Sequence, residues 1–144
     1  MIWDFERKLS RHLCIWGGVS IISGFLMLAI LRGDWLLGFA GMFIGWGVIN
    51  GLIAWVGQRS AVKKQVRVTP ETAGTAAEKE TRSLRRILLV NTGLDVLYIL
   101  GGTWMAVATA NPLYQGAGWG IVIQGAALFL FDLLHVLLIP KPQP

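Results

Sequence analysis

Charged residues leave long gaps in this chain. Residues 12–31 contain no Asp, Glu, Lys or Arg, and neither do residues 35–58. A third gap runs from Val96 to Phe131 and is too long for one span. It breaks at "TANPLYQGAG", where Asn111-Pro112 signals a turn. The apolar residues run on without the alternation of a half-buried strand, which favours helices. A bilayer needs roughly 20 apolar residues per helix, and a helix satisfies its own backbone hydrogen bonds there. The pattern predicts four transmembrane helices, at about 12–32, 35–57, 87–108 and 117–139, with a loop over 58–86. The expected fold class is all-α: an integral membrane four-helix bundle forming one domain over 1–144.

Composition agrees. The chain is 54% hydrophobic and 15% charged, with a mean hydropathy of +0.58. Ordinary soluble domains carry about 25% charged residues. The first apolar run is longer than a signal-peptide core and no A-x-A-like site follows it, so it reads as a retained span. "RGD" (32–34) reads as a tight turn between two spans rather than an adhesion motif.

Charge sets the expected orientation. Twelve of the thirteen basic residues lie before the first span, in 58–86, or in the tail at Lys141; Arg32 is the exception. By the positive-inside rule the N- and C-termini and the long loop are cytoplasmic. The net charge of +5 is then a topological signal. A nucleic-acid partner is not expected: Glu71, Glu78 and Glu80 dilute the basic segment, and no aromatics interleave with its charges. The expected partner is the lipid bilayer.

Within 58–86, "TPETAGTAA" reads as a turn-rich linker and "AAEKETRSLRR" as an extension of the third helix. Glu78 and Arg82 are spaced i, i+4 for an ion pair. Trp3, Phe5, Leu9 and Leu13 share one face, so the N-terminal segment either forms a short helix at the membrane surface or leads directly into the first span. Cys14 has no partner for a disulfide or metal site and reads as a buried small hydrophobe. Trp3 and Trp55 at one interface, with Trp35 and Trp119 at the other, form an aromatic belt. "GMFIG" (41–45) and "GVING" (47–51) are GxxxG patterns. They suit close packing within the chain, or a homo-oligomer or membrane-complex partner at small-residue helix faces.

The candidate chemistry lies in polar residues inside the spans. These are Asn50 in the second, Asn91, Asp95 and Tyr98 in the third, and Gln124, Asp132 and His135 in the fourth. Burying them in hydrocarbon is costly, most of all for a carboxylate. At about 100° per residue, Asn91, Asp95 and Tyr98 fall on one face, as do Gln124 and His135. Counted from the helix ends, Asn50, Asp95 and Asp132 share a level roughly 10–12 Å below the cytoplasmic boundary. Three helices thus predict one polar seam in the cytoplasmic half, with His135 placed to hold an acid in its charged form.

Three segments carry a resemblance: "GWGVINGLIAWVG", "RRILLVNTGLDVLYILGG" and "GWGIVIQGAALFLFDLLHVLL". They resemble a family of small uncharacterised bacterial proteins with four transmembrane helices. The matching positions are Trp46 and Asn50; Asn91, Gly93, Leu94, Asp95, Val96 and Tyr98; and Gln124, Gly125, Leu128, Phe131 and Asp132. The resemblance implies a multi-pass protein of the bacterial inner membrane and carries over no activity. Two functional readings stand. In one, the seam binds or transports a small ligand, lipid or ion, with intramembrane carboxylates for a cation or proton. In the other, the chain is a structural or regulatory subunit and the seam is an internal hydrogen-bond lock. Catalysis would need a nucleophile with a base or a full metal shell; no catalytic or metal residues are assigned and no cofactor is named.

Overall fold

The computed structural model describes residues 2–69 and 71–140; Lys141 of the basic tail lies outside them. Four helices account for nearly all of the described chain: α1 (Ile2–Ile30), α2 (Asp34–Val66), α3 (Ala73–Ala108) and α4 (Pro112–Leu138). There is no strand among the described residues. Each helix is long and apolar enough to cross a membrane. At 1.5 Å per residue even α4 spans about 40 Å, against about 30 Å of hydrocarbon.

The connections follow local chemistry. Gly33 joins α1 to α2 at φ 131°, a conformation L-residues with side chains avoid. Asn111 caps α4, its side chain accepting a hydrogen bond from Leu113 N at 2.9 Å, with Pro112 in the first turn. These two turns define one end of the bundle. The chain start, the α2–α3 connection and the end of α4 define the other, the basic end.

The helices run well past the apolar gaps at the basic end. Residues 58–66 continue α2 and 73–86 belong to α3, so the expected long loop shrinks to a short connection around 67–72. "SAVKKQV" and "AAEKETRSLRR" are rich in good helix formers, and Arg82 meets Glu78 at 2.5 Å as their spacing predicts. Of the two expectations for the N-terminal stripe, the structure follows the one in which it leads into the first helix. It is continuous with α1 rather than a separate surface helix. Ile2 packs on Leu84 and Leu88, flanked by Trp3, Phe5 and Leu9. The stripe finds a protein partner, and burial there replaces burial in lipid. Cys14 is exposed on α1 rather than buried.

Burial is inverted relative to a water-soluble bundle. The interior holds Ser20, Asn50, Asp95, Gln124 and Asp132 beside alanine and glycine. The outer surface carries large side chains such as Ile22, Phe25, Leu97, Trp104 and Leu137. So much continuous apolar surface points to lipid contact, and four apolar helices mark the chain as a membrane protein.

Glycine builds the interhelical contacts. Gly17 and Gly47 bring α1 against α2, and Gly102 and Gly118 bring α3 against α4. Gly38 and Gly116 press α2 onto α4 at the turn end, where a Cβ would collide with backbone at Leu113 or Trp35. The result is two hairpins joined through α2 and α4, with α1 and α3 on the flanks. Gly41 and Gly45, the pair in "GMFIG", meet nothing within 4 Å, so packing inside the chain does not use them.

Candidate functional site

At the basic end the four helices surround a cleft of about 510 Å³. Pockets for small ligands run from about 300 to 1,000 Å³. Its walls are mostly apolar, with Leu13, Leu52, Leu84, Ile87, Leu88 and Phe131 among them. Its polar lining comes from Glu6 and Ser10 on α1, Ser60 and Lys64 on α2, Glu80 and Asn91 on α3, and Asp132 on α4.

The structure divides the expected seam. Asn91 and Asp132 face each other in the cleft across α3 and α4, and Asp95 stands within electrostatic reach of Asp132. Asp95 and Asp132 are 4% and 8% exposed. Neither forms an ion pair among the described residues, and Asp95 Oδ2 has no hydrogen-bond partner. Asn50, 2% exposed, lies beside Gly17 at the α1–α2 contact, and its Nδ2 is also unpartnered. A buried donor and a buried acceptor without partners are each costly, by about 1–3 kcal/mol.

Gln124 forms a separate arrangement. It is fully buried and ties α4 to α1. Trp16 Nε1 donates to its Oε1 at 3.2 Å, and its Nε2 donates to Ser20 Oγ at 3.2 Å. Trp16 and Ser20 were not among the expected site residues. Their signal, two hydrogen-bonding side chains four apart on α1, gains meaning only once α4 is known to pass beside them.

Tyr98 and His135 leave the seam. Tyr98 is 38% exposed and packs edge-on against Trp46, ring centroids 4.9 Å apart. His135 turns toward α1, its ring within 6 Å of those of Phe5, His12 and Phe131. Its Nδ1 lies 2.7 Å from the Phe131 carbonyl oxygen. The geometric reason is the offset of His135 from Asp132 around α4, about 60°: Asp132 faces α3 while His135 faces α1. The imidazole therefore does not act as counterion to the acids. No group of three or more His, Cys, Asp or Glu side chains among the described residues is placed to hold a metal ion.

A charged group at the cleft mouth escaped the sequence reading. Lys64 Nζ lies 2.5 Å from Glu80 Oε1 and 4.0 Å from Glu6 Oε1, linking α2 to α3 and α1. Glu6 is 8% exposed, and its Oε2 has no hydrogen-bond partner. Burial, and then the neighbouring Glu80 carboxyl, push Glu6 up to about 7 against the pull of Lys64. These residues belong to the helical extensions, whose mutual packing is not written in any local pattern.

The Glu6 carboxyl has a consequence for stability. Its ordinary value is 4.5, so between there and about 7 the folded chain holds a proton that the unfolded chain has lost. Its contribution to stability therefore falls as the pH rises through that window. We expect Glu6→Gln to match the parent's melting midpoint near pH 5 and to exceed it at pH 8. Thermal melts in detergent across pH 5–8 check this; an unchanged pH slope in the variant would count against it.

Comparisons with curated proteins and with solved structures gave no match. A family does match, over residues 12–133, from the start of the first apolar run to the residue after Asp132. It includes Asn50, Asn91, Asp95, Tyr98, Gln124 and Asp132 and leaves out Glu6 and His135. The chain belongs to DUF6992, a family of unknown function.

Proposed function

We propose that the protein is a multi-pass protein of a bacterial inner membrane whose cleft binds a small amphiphilic ligand drawn from the bilayer. Both termini and the 67–72 connection lie on the cytoplasmic side in this reading, supported by the gathering of basic residues at that end. The carrying observation is the cleft itself: an apolar volume of about 510 Å³ with carboxyl groups at its mouth and along its wall.

The route in is lateral. The α2 and α3 helices do not pack backbone to backbone. Side chains bridge them at two levels, Lys64 with Glu80 and Trp46 with Tyr98. Those levels are about 27 Å apart along α2, eighteen residues at 1.5 Å each. Between them Leu52, Ile53, Val56 and Ile87 line the cleft and are also exposed on the outer surface. An alkyl chain in the bilayer would pass through this window without crossing a polar barrier. Binding in the cleft is also the first step that transport would require. Gly41 and Gly45, spare on the outside of α2, are where a second copy would pack.

The rival reading, a hydrogen-bond lock in a subunit of a larger complex, suits Gln124 with Trp16 and Ser20, whose groups satisfy one another. It does not suit Asp95 and Asp132, buried acids with no ion pair among the described residues, or Glu6, whose buried Oε2 has no hydrogen-bond partner. Photolabelling in nanodiscs tests the choice. A neutral lipid with a photoactivatable acyl chain should label Leu84 and Phe131, which line the cleft and are not exposed on the outer surface, in preference to Phe25 and Val107, which lie outside it. Even labelling of both sets would sink the ligand reading.

A further inference from the structure

We infer that the ligand taken by the cleft is a cationic amphiphile: an alkyl body carrying a protonated amine that binds between Glu6 and Glu80. This rests on the cleft being a ligand site and adds the charge of the ligand.

Charge balance is the first argument. Glu6, Glu80 and Asp132 line the cleft and Asp95 adjoins it. Lys64 is the one basic residue among its lining residues. An anionic head group would meet three carboxyl groups there, and a neutral one would leave Lys64 alone to offset them. The arginines of α3 offer no relief. Arg82, Arg85 and Arg86 gather on one face with Leu89 and Val90, while Glu80, Leu84, Leu88 and Asn91 face the cleft. At about 100° per residue these are opposite sides of the helix.

The second argument is an unmet acceptor. Glu6 is more than nine-tenths buried, lines the cleft, and has an Oε2 with no hydrogen-bond partner. An ammonium group carries three donors and no acceptor. Placed at the mouth it would serve Glu6 Oε2 and Glu80 together, with charge-assisted bonds. Lys64 already does half of this, close to Glu80 but 4.0 Å from Glu6. Its side chain is 43% exposed, so it has room to swing to water and give way to an incoming amine. In this picture Lys64 is a tethered competitor for the site.

Competition against the photolabel provides the test, in nanodiscs of uncharged lipid at pH 7.5. Dodecylamine, dodecanol and dodecanoate are compared as competitors for labelling of Leu84 and Phe131. Dodecylamine should compete about tenfold better than dodecanol, the worth of roughly one charge-assisted hydrogen bond, and dodecanoate should compete worst. The Glu6→Gln/Glu80→Gln double variant should lose the preference. Glu78→Gln, whose carboxylate pairs with Arg82 away from the cleft, should keep it. Lys64→Gln should strengthen it, because the internal competitor is gone. That opposite sign separates recognition from a general loss of folding. Equal competition by dodecanol and dodecylamine would overturn the cationic ligand and leave the cleft reading standing. Absence of cleft labelling in the parent would overturn both.

Discussion

Gly116→Ala is expected to unseat α2 from α4, while the same substitution at Gly101 leaves the fold as stable as the parent or more so. A Cβ on Gly116 would be driven into the Trp35 carbonyl and would stand 3.1 Å from Phe39 N. Gly38 is in the same position against Leu113, and a Cβ there would also stand 2.9 Å from Ala117 N. These neighbours are backbone, so no side chain can rotate away; the helices must separate. Overpacking of this kind costs about 1–3 kcal/mol or more. The loss is compounded here, because close approach is what lets helices adhere where lipid is as apolar as leucine. At Gly101 an added methyl meets nothing within 4 Å. There alanine gains the helix propensity that glycine lacks, about 0.5–1 kcal/mol. Melting midpoints in detergent, with a monodisperse elution profile as the check on folding, would read both signs. A parent-like Gly116→Ala would mean that α2 and α4 do not make this contact.

The second large effect concerns the acids. Asp132→Asn is expected to melt at or above the parent at pH 8, and Asp95→Asn likewise. Both carboxyl groups are buried, and neither has an ion-pair partner among the described residues. Asparagine keeps the shape and removes a charge that the interior does not balance. Because Asp95 and Asp132 feel each other, one substitution relieves part of the strain on its neighbour. The double variant should therefore gain less than the sum of the singles, by about 0.5–3 kcal/mol as for residues in contact. A stability gain from removing an acid is the mark of a residue retained for function at a cost. If the singles instead melt well below the parent, the acids lock the fold and the subunit reading gains.

The two outcomes read different layers of the molecule. The glycine series reports on contacts that exist to bring backbones together at the turn end. The acid series reports on groups at the other end, where the helices stand apart around the cleft.

How far the site was legible follows from that division. Asn91, Asp95 and Asp132 were readable as a cluster because each lies at a fixed depth and angle on its own helix, and helix geometry supplies both. His135 was misread because about 60° around the helix separates a residue facing α3 from one facing α1. Tyr98 shares a helix face with Asp95, yet its ring reaches Trp46 at the rim rather than the interior. Glu6, Lys64 and Glu80 carried no warning. They lie in polar stretches that read as a surface helix or lead-in, a loop and an extension of the third helix, and only the packing of these stretches makes them neighbours.

By itself the sequence determined that four helices form, that they are long and apolar enough for a membrane, and that Asn50, Asp95, Gln124 and Asp132 are buried in them. Those properties come from runs and spacings along one chain, and hydrocarbon rewards them locally, residue by residue. The tertiary structure alone decided which glycines touch and that Gln124 pairs with Trp16 and Ser20. It also decided that α2 and α3 stand apart, and that the cleft mouth carries two carboxyl groups and one lysine. These are relations between helices. They depend on how far each is rotated about its axis and how closely its backbone approaches the next, and no segment encodes that alone.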